Sequence, residues 1–238
     1  MPLSLSKKDE KMKKILVIAA HPDDEVLGCG ATIAKHVSQG DKISILILGE
    51  GITSRKYLST NKKIDQLKKL QKMCLNASKI LGVEDLYLES FPDNKFDSVP
   101  LLDLVHSIES RLRTDSPNIV YTHCKSDVNI DHRRTLEAVE SAVRPLPKSK
   151  IKQVLSFEVP SSTEWNFVRE PFRPVFFNEI NKVQLQRKIN ALKSYSSEKR
   201  PFPHPRSEVY LESLARVRGG QSGKNLAEAF EIIYQISD

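Results

Sequence analysis

Two short runs of the 238-residue sequence crowd ionisable side chains together. The first is Ala20-His21-Pro22-Asp23-Asp24-Glu25, with four ionisable groups in five positions. The second runs from His123 through Asp127 and Asn129 to Asp131 and His132. Adjacent half-buried carboxylates are costly unless a cation offsets them. A divalent metal answers that need, and imidazole with carboxylate oxygen is a ligand set that zinc accepts. Pro22 forces a turn that lets His21 and Asp24 reach one ion. His132 is the expected third ligand, leaving a fourth position open for water as in catalytic zinc sites. Two nitrogens and one carboxylate suit Zn²⁺ and also Fe²⁺. Asp23, beside a ligand, is placed to take a proton from water as a general base. A helix cap is the simpler reading of Asp23 or Asp24, but a cap needs one acid, not the whole run.

The elements that must position these residues are legible in the spacing. Residues 15–19 (ILVIA) form a short, β-branched apolar run that reads as a buried strand. Helix-like spacing follows over 28–39, then a strand over 42–48. A long amphipathic helix over 62–81 carries Leu67, Leu70, Met73, Cys74 and Leu81 on one stripe and closes at Gly82. A strand over 85–88, a helix over 100–114, a strand over 118–122 and a helix over 132–143 come next. This alternation predicts an α/β, Rossmann-like fold: a mostly parallel sheet with helices on both faces. Such sheets place ligands beyond the carboxyl ends of their strands. With the fourth strand beside the first, both polar runs face one crevice. His123 and Asp131 are then expected to orient His132 or Asp23 by hydrogen bonds, with Asp127 doing likewise or capping the helix.

The last third is less regular. Strands are expected over 154–158 and 175–177, and a helix over 179–195. The loop Arg200-Pro-Phe-Pro-His-Pro-Arg-Ser207 follows, its three prolines blocking regular structure. A helix over 207–218 and a short strand near 230–236 close the chain. We expect one domain over 13–238 behind a flexible extension over 1–12. Arg55, Arg206 and Arg218 are candidates at the crevice rim for a phosphate or a sugar hydroxyl. Trp165 is a candidate platform for a sugar ring. The plain reading of each is a surface arginine or a core tryptophan.

Bulk properties bound the rest. Cys29, Cys74 and Cys124 are scattered, with no CxxC pair, and read as small buried side chains. Gly28-Cys29-Gly30 lacks the third glycine of a dinucleotide loop, Ile33 standing in its place. No apolar run reaches the length of a membrane span, and the polar start lacks the apolar stretch of a secretory leader, so a cytoplasmic location is the expectation. The net charge of +7 suits an anionic substrate. Nucleic acid is not expected as a partner, because the lysines of 62–72 read as one solvated helix face without interleaved aromatics.

The first run, with His123…Asp127…Asp131-His132 downstream, resembles the PIG-L/LmbE-like zinc-dependent de-N-acetylases. Phe91-Pro-Asp-Asn94…Asp97, His204-Pro-Arg-Ser207, Arg218-Gly219 and Ala227-Glu-Ala-Phe230 extend the resemblance along most of the chain. The resemblance implies removal of an acetyl group from an N-acetylated sugar, nucleotide- or lipid-linked, giving acetate and a free amine. It also implies zinc at His21, Asp24 and His132, Asp23 as base, and homo-oligomers among relatives. Asn129 departs from the pattern, since many members carry histidine there. Asn cannot protonate a leaving amine but can hydrogen-bond a carbonyl oxygen. The acid role then falls to Asp23 acting twice, or to His204 if its loop folds over the site. Two other readings stay open: a zinc amidase acting on a formyl or thiol-conjugate amide, and a non-catalytic sugar- or nucleotide-binding protein.

Overall fold

The run after Met12 becomes strand β1 (Lys14–Ala19), and its side chains divide between two cores. Ile15, Val17 and Ala19 pack into one apolar cluster, Leu16 and Ile18 into another. A strand buried on both faces has no use for polar alternation, which explains the unbroken apolar run. The computed structural model describes residues 12–51, 60–147, 149–196 and 198–237. Most of the expected extension and all of Arg55 lie outside them.

The chain continues through α1 (Asp24–Ser38), β2 (Lys42–Gly49), α2 (Thr60–Leu81), β3 (Asp85–Phe91), α3 (Leu101–Asp115), β4 (Ile119–His123) and α4 (Ile130–Ala142). It ends with β5 (Gln153–Phe157), β6 (Phe176–Glu179), α5 (Lys182–Ser194), α6 (Glu208–Gln221) and β7 (Ala227–Gln235). All seven strands join one sheet in the order β3-β2-β1-β4-β5-β7-β6. The first five run parallel. Leu70, Cys74 and Leu81 of α2 and Leu192 of α5 pack on the face of Val17, while Leu104 and Ile108 of α3 and Val139 of α4 cover the other. The α/β architecture read from the sequence is therefore the one observed.

The end of the chain departs from simple alternation. The final strand is nine residues long, begins at Ala227, and lies between β5 and β6, antiparallel to both. Its first four residues are buried and the last five are half-buried or exposed. A search for a short apolar run therefore finds only part of it.

Helix α1 is broken at Cys29 (φ −143°, ψ 24°). A break leaves backbone groups without intrahelical partners, and two side chains from distant elements take them up. Glu228 of β7 accepts the N–H groups of Ala31 (3.2 Å) and Thr32 (2.6 Å). Lys188 of α5 donates to the Leu27 carbonyl (2.8 Å) and pairs with Glu228 (2.6 Å). Both charges are buried. Gly28 is required by close approach, because a Cβ there would sit 2.3 Å from the Phe157 ring. The glycine pair around Cys29 thus serves packing at a helix break. Removing one partner of a buried pair strands the other charge, so Glu228→Ala should destabilise the fold by about 3–5 kcal/mol in urea unfolding. A loss below about 1 kcal/mol would show that the helix break does not depend on the pair.

Candidate active site

The chain leaves β1 for β2 and β3 on one side, then returns to β4 on the other. This reversal opens a crevice beyond the carboxyl ends of β1 and β4, and the two polar runs leave those strands there. His21 Nδ1 lies 3.5 Å from Asp24 Oδ2, and His132 Nε2 lies 3.2 Å from the same oxygen. The edge of a tetrahedron with metal bonds of about 2.1 Å is about 3.4 Å. One donor atom from each of the three residues lies within 4.8 Å of the others.

Each imidazole is braced from behind. His21 Nε2 meets Asp131 Oδ2 at 2.9 Å and Asp93 Oδ1 at 3.3 Å. His132 Nδ1 lies 2.9 Å from Asp127 Oδ2. A carboxylate behind a ligating imidazole fixes its tautomer and turns the other nitrogen forward. The braces are themselves held. Asp131 Oδ1 accepts the Phe96 N–H (2.9 Å), and Asp127 accepts from the Asn129 N–H (2.8 Å), the Ser162 hydroxyl and the Thr163 hydroxyl (3.1 Å). The donor set and its backing fit a zinc ion at His21, Asp24 and His132.

Two supports differ from expectation. Asp131 serves His21, not its neighbour His132, because consecutive helical residues point about 100° apart. His123 orients neither His132 nor Asp23 by a hydrogen bond. Its Nε2 accepts the Ala20 N–H (2.8 Å), and its ring stacks on His132 with centroids 4.0 Å apart. Burial, then the His132 charge, pushes its pKa down to about 3, so the ring is neutral.

Asp23 stands apart from the ligands. Its backbone is left-handed (φ 96°, ψ −23°), and its side chain makes no cap hydrogen bond. Its N–H donates to Glu25 Oε2 (3.0 Å), and Glu25 Oε1 accepts from the Tyr195 hydroxyl (2.7 Å). The carboxylate meets Arg206 Nη1 at 2.9 Å. Burial pushes the Asp23 carboxyl well above the usual carboxylate range, against the pull of Arg206.

A cavity of about 780 Å³ lies in front of this group, lined among others by Asn94, Asn129, Trp165 and Lys69. Asn129 caps α4, its Oδ1 accepting the Asp131 N–H (2.8 Å), and its amide nitrogen faces Asn94. Trp165 is 43% exposed, a cavity wall and not core. His204 is not among the lining residues. It packs edge-on against Trp165 (5.8 Å), and its Nδ1 accepts the Arg206 N–H (3.1 Å). Arg206 is the residue of that loop that enters the site. Arg218 lies elsewhere, bidentate on Glu158 (2.7 and 2.6 Å). Asp93 enters the sequence reading only within the Phe91–Asn94 segment, with no role given, and Glu198 does not enter it. Asp93 follows the carboxyl end of β3, a position that itself signals the crevice; Glu198 carries no comparable signal.

The electrostatics set a pH dependence. Burial lowers the affinity of His21 for a proton, but Asp131 and Asp24 outweigh it and bring the pKa to about 9. For His132, Asp24 and Asp127 overcome burial and bring it to about 10. Both histidines ordinarily titrate near 6.5. A raised histidine pKa adds stability that is complete below the unfolded value and lost as pH rises through the folded one. The metal-stripped protein should therefore melt at progressively lower temperature from pH 6.5 to 10. Zinc-loaded protein, whose ligating imidazoles carry no proton at the metal, should lack that slope. A flat profile for the stripped protein would contradict the pairing.

Residues 16–143 match the PIG-L family, described as GlcNAc-PI de-N-acetylase. YaiS, described as an uncharacterized deacetylase of Escherichia coli K12, is 30% identical over 192 residues, 79% of this chain and 92% of that protein. The diacetylchitobiose deacetylase of Thermococcus kodakarensis is 26% identical over 232 residues, 93% of this chain and 84% of that one. The 4-carboxy-2-hydroxymuconate hydratase of Pseudomonas putida KT2440 has a similar structure at 22% identity, with a TM-score of 0.74 over 95% of this chain and 98% of that one. That last likeness concerns the fold alone. On the family match and the YaiS relationship, the chain belongs to the PIG-L family of de-N-acetylases.

Proposed function

We propose that the protein is a zinc-dependent hydrolase that removes the acetyl group from an N-acetylated sugar. The observation that carries this reading is the open three-donor group, each histidine braced by a buried carboxylate, with Asp23 beside it and not part of it. A zinc ion held by His21, Asp24 and His132 supplies, when bound, an electrophile that acidifies water and polarises the acetamide carbonyl. Asp23 takes the proton from the attacking water, and burial, which strengthens its carboxylate's hold on a proton, favours that role. The Asn129 amide, at the cavity wall beside Asn94, donates to the carbonyl oxygen as it gains charge. Asp23 then returns the proton to the departing nitrogen, leaving acetate and a free amine. His204, off the cavity wall, acts by holding Arg206 and not as the acid. Trp165 offers a face for a sugar ring. Lys69 at the rim and the +7 net charge favour a substrate bearing an anionic group.

The test compares wild type, Asp23→Asn and His132→Ala for metal content and for acetate release from N-acetylglucosamine and N,N′-diacetylchitobiose. Wild type should hold about one zinc per chain, and His132→Ala should lose it. Asp23→Asn should keep the metal and lose about 10²–10⁴-fold in kcat. Near-normal turnover by Asp23→Asn would remove it as base. A wild type that binds zinc but releases another acid from formyl or thiol-conjugate amides would redirect the substrate reading.

A further inference from the structure

Arg206 approaches the site from the proline-rich loop, and its sequence position gives it the look of a substrate contact. Two of its three guanidinium nitrogens already have protein partners. Nη1 is shared between Asp23 Oδ2 (2.9 Å) and Glu198 Oε2 (2.9 Å), and Nε donates to Ser161 Oγ (2.8 Å). The side chain is only 21% exposed. The partners come from three separate segments: the turn after β1, the loop after β5 and the loop after α5.

Asp23 needs such a partner. Its left-handed backbone turns it out of line with the neighbouring ligand Asp24, a conformation that carries strain for a residue with a side chain. Glu25 holds the Asp23 N–H but leaves the carboxylate free to rotate. Asp24, Glu25 and Glu198 all repel that carboxylate, and Arg206 is the cation in contact with it. Without Arg206, the carboxylate would swing towards open cavity and water. Lysine could not replace it, because a single ammonium lacks the planar fork that reaches Asp23, Glu198 and Ser161 together.

We propose that Arg206 is the positioning residue for Asp23, held in turn by Glu198 and Ser161, and not a substrate contact. The inference rests on the reading of Asp23 as the base. On this reading the loop after α5 delivers one guanidinium to the carboxylate that must face the attacking water. Misplacing a catalytic group by about 1 Å costs on the order of 10²-fold in rate, while substrate affinity is left to other groups.

The experiment measures kcat, KM, zinc content and melting temperature for Arg206→Met, Arg206→Lys and Glu198→Gln, beside Asp23→Asn. Arg206→Met should lose about 100-fold or more in kcat with KM and zinc content little changed. Added guanidinium should restore part of its kcat, and Arg206→Lys should be nearly as slow. Glu198→Gln keeps Arg206 and should show a smaller fall in kcat at unchanged KM, which keeps the test open if Arg206→Met folds poorly. A raised KM with kcat retained in Arg206→Met would make Arg206 a substrate contact and overturn the proposal. Full kcat in Arg206→Lys would show that charge alone matters and would overturn it too. Undiminished turnover in Asp23→Asn would instead bring down the base reading on which the proposal stands.

Discussion

Desolvation of carboxylates is the constraint around which this molecule is arranged. Asp23, Asp24, Glu25, Asp127 and Asp131 are all buried at the carboxyl ends of two adjacent strands. Each such ion loses several kcal/mol of hydration, and each has been given a specific partner. Burial opposes the charge on Asp24, yet His132 and His21 hold it well below the usual carboxylate range. Burial opposes the charge on Asp127 too, and there His132 and the Ser162 hydroxyl hold it down. Glu25 has only the Tyr195 hydroxyl and backbone donors to offset burial, which pushes it up to about 7. The arrangement separates two kinds of carboxylate: Asp24 and Asp127, paired with imidazole, stay ionised, while Asp23, raised by burial above all and by nearby like charges, holds a proton more readily.

Much of this was legible in the sequence because the two polar runs interrupt apolar strands, where only function justifies charge. The parallel sheet and the meeting of His21, Asp24 and His132 follow from alternation and from the expected adjacency of β1 and β4. What stayed hidden depends on rotation and on long-range partners. Asp131 and His132 are consecutive, and only the helix start at Ile130 decides which imidazole each side of the turn serves. Arg206 reaches Asp23 across 183 positions, a pairing no local pattern encodes. The Lys188–Glu228 pair was equally invisible, since nothing in the sequence around Cys29 announces a helix break.

The fold by itself permits more than one chemistry, as the likeness to a hydratase shows. What favours amide hydrolysis is therefore the site. Asn129 is instructive here. Its side-chain oxygen is committed to capping α4, and its amide nitrogen, 3.5 Å from Asn94 Oδ1 at the cavity wall, is the part left to donate. A residue that can donate but not titrate suits charge stabilisation and not proton transfer.

The start of α4, with the loop residues just before it, braces both His21 and His132. Asp127 and Asp131 flank the cap residue Asn129 and support imidazoles that come from different segments of the chain. Fraying of this one segment would withdraw both braces together, whereas loss of either alone would leave the other ligand aligned. For an ion held at His21, Asp24 and His132, release would be coupled to opening of the α4 terminus, because both braces sit there. The Asp131 amide, which donates to the Asn129 side chain, would then report that opening through its hydrogen-exchange rate.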